Sequence, residues 1–226
     1  MKKLHILLIA LLSGFGSICA KGASVAAVQT IDGTAFAWRD VIGANQSGTM
    51  GWSFVVGGQD LDVDALGIYD HGANGLQTAH PVGIWTSGGA LLAQVTVPLG
   101  TAGTLVGSYR YGSIAPLTLT AGHTYVVGTY FAPVIDRCGS ACGDEMLVFG
   151  TETFASGFAY LHSNQNRAKI GDGSLAFPDL DGEIAEAFFG PNFLITAADP
   201  VAAPEPTSLV LAGLGIGALL VRRRSS

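Results

Sequence analysis

From residue 24 to residue 199 the chain is a succession of short apolar–polar runs, each closed by glycine, and this punctuation limits what it can fold into. Trp52, Phe54 and Val56 alternate with Ser53 and Val55, and Leu61, Val63 and Ala65 alternate with Asp62 and Asp64. Val82-Gly83-Ile84-Trp85 runs into Ser87-Gly88-Gly89, and 91–97 follows at once, the strand–glycine turn–strand order of a hairpin. Further runs at 105–111, 117–119 and 124–131 are separated by Pro116 and by Ala121-Gly122-His123, and 147–149, 158–161 and 193–195 continue the series. A side-chain period of two without a sustained helical period, in a chain with 32 glycines, predicts an all-β fold. We expect a single antiparallel β-sandwich or jelly-roll-like domain over 24–199.

Both ends differ from this body. Lys2 and Lys3 precede the apolar run 4–12, and small residues follow to Ala20, which predicts a signal peptide over 1–20 in helical form. Cys19 raises a lipoprotein alternative, but Ile18 before it is not the small residue such a site needs. At the other end, a stalk over 200–207 carries Pro204-Glu205-Pro206 and leads into 208–226. There the apolar run 209–221 is followed by Arg222, Arg223 and Arg224. As a helix those 13 residues reach about 20 Å, against a hydrocarbon core of about 30 Å, so this is a short transmembrane helix with a basic stop. An ordinary C-terminal anchor is the plainer alternative.

The order Pro204-Glu205-Pro206, apolar run, Arg222 to Arg224 resembles the PEP-CTERM sorting tail of Gram-negative, exopolysaccharide-producing bacteria. The resemblance implies a partner, the membrane protease-transpeptidase exosortase, which acts at the Pro-Glu-Pro. It also implies a transient inner-membrane intermediate, then the cell surface or an extracellular polysaccharide matrix. In 51–127, Gly51-Trp52-x-Phe54, Asp64-Ala65-Leu66-Gly67-Ile68-Tyr69-Asp70 and His80-Pro81-Val82-Gly83-Ile84-Trp85 occur in order. Tyr109-Arg110-Tyr111 and Pro116-Leu117-Thr118-Leu119 follow. This segment is similar to a β-sandwich ectodomain common in PEP-CTERM proteins, a module that implies no catalytic residues.

Charge narrows the partners. Residues 21–203 hold six of the eleven Lys and Arg and sixteen of the seventeen Asp and Glu, a formal charge of −10. Such a body repels nucleic acid and anionic lipid. Cys138 and Cys142, an even count once Cys19 leaves with the signal, read as a disulfide closing a short loop in an oxidising compartment. A zinc site would need two more ligands nearby.

Candidate chemistry is sparse. Asp60, Asp62 and Asp64 open like a calcium loop, but Ala65 and His71 stand where glycine and glutamate are required. Asp70-His71-Gly72-Ala73-Asn74-Gly75 is the better oxygen-rich loop, with Asp70 and Asn74 as ligands of a structural Ca²⁺; an Asx-type turn uses the same residues. Apart from that ion, no cofactor is expected. Asp172, Asp179, Asp181 and Glu183 supply carboxylates of the kind a glycosidase uses, but nothing in the sequence places two of them across a cleft, and an acidic surface loop is the reading taken. No Gly-x-Ser-x-Gly or His-Glu-x-x-His is present. His162 with Asn164, Gln165 and Asn166 forms an amide-rich loop of a kind that can line a sugar site, with a plain surface loop as the reading taken. Among the aromatics, Trp38, Trp52, Trp85, Tyr130 and Tyr160 are candidates for glycan stacking, with Trp52 and Trp85 expected in the core. Tyr109 and Tyr111 share one strand face about Arg110 and are the expected ligand-stacking platform. The leading expectation is therefore a non-enzymatic exported surface or matrix protein, with a carbohydrate-binding module as the alternative and a glycan hydrolase behind it.

Overall fold

In the computed structural model the described residues are 23–36, 47–132, 146–161, 166–181 and 189–196. They form antiparallel β-structure with a single short 3-10 turn at His71–Ala73, as the alternation predicts. The strands are β1 (Val25–Ala26), β2 (Val28–Phe36), β3 (Gly48–Val56), β4 (Leu61–Tyr69), β5 (His80–Thr86), β6 (Leu91–Val97) and β7 (Thr104–Val106). They continue with β8 (Tyr109–Leu119), β9 (Thr124–Phe131), β10 (Met146–Phe154), β11 (Phe158–Tyr160), β12 (Asn166–Ile170), β13 (Leu180–Asp181) and β14 (Pro191–Ile195). One sheet has the order β1-β14-β4-β8-β7 and a second the order β13-β12-β3-β9-β5-β6, with β11 also on β3; β2 and β10 pair as a ribbon. The expected signal helix and membrane helix lie outside the described residues, and no helix within them is long and apolar enough to cross a membrane.

The two sheets face each other across aromatic side chains, which is the sandwich. Met50, Trp52, Phe54 and Val56, one face of β3, are all buried. Trp52 and Phe54 both stack on Phe193 of β14, at 5.8 and 4.8 Å between ring centroids. Trp52 also donates its indole N–H to the Pro191 carbonyl at 2.8 Å, so the largest core side chain buries no orphaned polar atom. Phe154, Phe158, Tyr160 and Phe189 complete the ring of aromatics about it.

Three details depart from the sequence expectation. Pro116 does not divide two strands; it lies inside β8, where the pairing with β4 shifts between Val63 and Ala65. A bulge needs no ladder donor at that point, which is where proline is tolerated. The break falls earlier, at Gly107 with φ of +60°, which turns β7 into β8. Trp52 and Trp85 are both buried as expected, but Trp85 lies outside the inter-sheet cluster. It lies over Gly83, where an added Cβ would sit 2.6 Å from the indole, and against Phe177, which covers it from the 171–179 segment.

That segment is tied down. The Ser47 hydroxyl donates to the Asp172 carbonyl at 2.6 Å, and the Ala176 amide donates to the Thr49 hydroxyl at 3.0 Å. Arg167 lays its guanidinium 5.8 Å above the Phe177 ring.

Candidate functional site

The expected stacking platform is buried. Tyr109 and Tyr111 do share a face of β8, but each is only 2 % exposed, so neither ring presents a surface to a ligand. Register explains it: Gly67 stands opposite both Tyr111 and Asn192, so all three occupy the face of the sheet turned away from Phe193 and the second sheet. That face is covered. The Tyr109 hydroxyl donates to the Phe189 carbonyl at 2.9 Å. Asn192 is fully buried; its side-chain oxygen accepts from the Val28 amide at 3.0 Å and its amide nitrogen donates to the Val28 carbonyl at 2.9 Å. Burial, then the neighbouring Tyr111 and Tyr69, holds the Tyr109 phenol well above its usual range, and burial does the same to Tyr111. Tyr160, half-buried, is pushed up to about 12 by burial and then by Glu152.

The expected calcium loop is organised around a different cation. Asp70 is fully buried and receives Arg110 Nε on Oδ2 at 2.6 Å, while the Gly75 amide donates to both carboxylate oxygens at 3.1 and 3.0 Å. Arg110 also donates to three backbone carbonyls, at 3.3 Å to Thr101, 3.2 Å to Gly103 and 3.2 Å to Ala73. The guanidinium thus supplies the carboxylate with its counter-ion, and Asn74 is exposed. Asp70 is a structural ion-pair partner of Arg110. Among the described residues no group of three or more His, Cys, Asp or Glu side chains is placed to hold a metal ion.

Sequence reasoning missed Arg110 as that partner, though a signal was present. Arg110 is the only Asp, Glu, Lys or Arg between residues 71 and 135. A lone charge in an uncharged stretch of strands has to find a counter-charge at the border of that stretch, and Asp70 is the first on its N-terminal side.

Several other acidic residues among the described ones are engaged locally. Asp62, on the exposed face of β4, accepts from the Thr118 hydroxyl at 2.6 Å. Asp60 accepts from the Ala121 amide at 2.8 Å, and Asp64 accepts from the Ser24 hydroxyl at 2.8 Å. Asp179 meets Lys169 at 2.7 Å on the surface, which lowers the carboxyl and raises the amine from their ordinary values, first through the hydrogen bond between them. One end of the sandwich carries an open groove of about 660 Å³ lined by Gln29, Asp60, Asp62, Ser156, Gly157 and Thr196. Its two carboxylates are those already bonded to Ala121 and Thr118.

Several candidates lie outside the described residues: Cys138 and Cys142, Trp38, His162, Asn164, Gln165 and Glu183, together with the whole terminal segment. For that segment, comparison with known proteins supplies the information. No curated protein and no solved structure matches the chain. Residues 202–224 match the family model of the PEP-CTERM protein-sorting motif, a match that spans Pro204-Glu205-Pro206, the apolar run and Arg222 to Arg224. The motif implies an exported protein sorted to the cell surface with exosortase as the processing partner, and in that sense the chain carries a PEP-CTERM sorting tail joined to a β-sandwich body.

Proposed function

We propose that this is a non-enzymatic surface or extracellular-matrix protein. Its signal peptide directs export, its tail holds it briefly in the inner membrane, and exosortase cuts at Pro204-Glu205-Pro206. The body then resides in or on an exopolysaccharide matrix such as a biofilm. The single observation carrying the reading is the match of residues 202–224 to the sorting motif. The body is consistent with it, because two polar side chains that the sequence put forward, Asp70 and Tyr109, are engaged in holding the fold, with Arg110 and Phe189, as is Asn192 with Val28. A catalytic carboxylate or nucleophile has to keep a face free for substrate.

The test is the intact mass of the protein recovered from the cell surface or medium of an exosortase-bearing host. Processing requires a C-terminus at or near Pro204 to Pro206 and the loss of Arg222 to Arg224. Protein recovered with its full tail refutes processing. Retention of the tail in an exosortase-deficient host, with the same body folded, ties the cut to that partner.

A further inference from the structure

Among the described residues the second sheet ends on β6, whose sequence is Leu91-Leu92-Ala93-Gln94-Val95-Thr96-Val97. An edge strand presents unpaired N–H and C=O groups, and natural proteins blunt such edges with charge, proline, bulges or shortness. The corresponding edge of the first sheet is blunted in this way: β7 has only three residues, and β8 carries Pro116 and a bulge. By contrast β6 is seven residues long and has neither charge nor proline; its one irregularity against β5 falls at Leu92, near its start, and leaves Ala93 to Val97 in regular register. Leu91 and Leu92 are 47 % and 38 % exposed on it, and Leu99 and Leu105, close by in sequence, are 62 % and 43 % exposed.

Charge selects the occupant. With a formal charge of −10 on residues 21–203, two copies repel one another over most approaches. The stretch 71–135, which contains β5 to β9, holds one formal charge, and that one, Arg110, is buried against Asp70. Approach along β6 therefore brings together the part of each body that carries no exposed charge.

The strand is also complementary to itself. Antiparallel pairing about Gln94, in the regular part of the strand, sets Ala93 against Val95 and the two Gln94 amides against each other. Ala93 and Val95 pack on the core side, whereas Gln94 and Thr96 are exposed. The pairing thus continues the buried face of one sandwich into that of the next, with hydrogen-bonding side chains on the wet face.

We propose that β6 is the contact strand of a two-fold dimer, in which its free edge pairs antiparallel with β6 of a second copy about Gln94. This goes beyond the sorting function and does not depend on it.

The experiment measures the mass of the full exported chain in detergent by light scattering coupled to size exclusion. The wild type is expected at two copies per particle, Gln94→Lys and Gln94→Glu each at one, and an equimolar mixture of the two variants back at two. Near-ultraviolet circular dichroism establishes that both variants are folded. As a second measurement, Gln94→Cys should give a disulfide between copies, because directly opposed residues place their Cβ atoms about 5 Å apart. Its site is read by peptide mapping. A wild type that runs as a single copy overturns the proposal. So does a dimer that survives both charge substitutions, which would show association through the apolar tail. Failure of the Gln94→Cys chain to cross-link would place the contact elsewhere.

Discussion

The buried Asp70–Arg110 pair gives the sharpest test of how this sandwich is held together. Replacing Arg110 with methionine keeps much of the apolar stem and removes the guanidinium, leaving a carboxylate with 0 % exposure without its cation. At an effective dielectric constant of about 20, the Coulomb attraction across 2.6 Å is roughly 6 kcal/mol, and it is opposed by the cost of taking both ions out of water. Removing one partner from such a pair costs about 3–5 kcal/mol, since the other stays buried and uncompensated. Three carbonyls, of Thr101, Gly103 and Ala73, lose their donor as well. At about 2–4 °C per kcal/mol for a body of this size, the midpoint should fall by roughly 10 °C. The assay is urea and thermal unfolding of Arg110→Met, Asp70→Asn and the double variant. The double variant should be markedly less destabilised than the sum of the singles, because neither charge is then stranded. An Arg110→Met cost below about 1 kcal/mol, the range of an exposed pair, would refute the reasoning.

Asn192→Leu should cost roughly 3 kcal/mol in urea unfolding, since it orphans the buried amide and carbonyl of Val28 together. A loss under about 1 kcal/mol would show that the two groups find other partners. The Tyr109 and Tyr111 phenols, raised by burial in the folded state, ionise near the ordinary value of 10.0 only once unfolded. Their contribution to stability is therefore complete below pH 10 and is lost as pH rises further, and ultraviolet titration should show their ionisation coinciding with unfolding. A Tyr109→Phe or Tyr111→Phe variant that, while folded, loses one phenol from the titration near pH 10 would contradict their burial. Removal of calcium with EDTA should leave the unfolding midpoint unchanged, because Arg110 supplies Asp70 with its counter-ion; a fall of several degrees reversed by Ca²⁺ would support the metal reading.

The strands were largely legible because their signals are local. Alternation across Leu61–Tyr69 and the glycine turn between His80–Thr86 and Leu91–Val97 depend on neighbours along the chain, and β9 lies at 124–131, as the alternation predicts. Less legible were β1, β2, β12 and β13, short or polar segments held by pairing with distant partners, such as Arg167 opposite Gly51. The candidate site misled in a specific way. Tyr109-Arg110-Tyr111 reads as two aromatic rings flanking a charge, and only the packing of Phe189 and Val28 over that strand puts the rings out of reach.

By itself the sequence determined the β-class, the acidity of the body and the address carried by Pro204-Glu205-Pro206, the apolar run and Arg222 to Arg224. These follow from side-chain period, from charge, and from a short linear motif, none of which needs a fold to be read. The tertiary structure decided what each polar or aromatic side chain meets. It paired Asp70 with Arg110, 40 residues away, and Asn192 with Val28, 164 residues away. Among the described residues it also left the uncharged β6 as a terminal strand of its sheet. Burial and partnership are properties of three-dimensional neighbours, and a strand's pattern records only which face is apolar, not what will cover it.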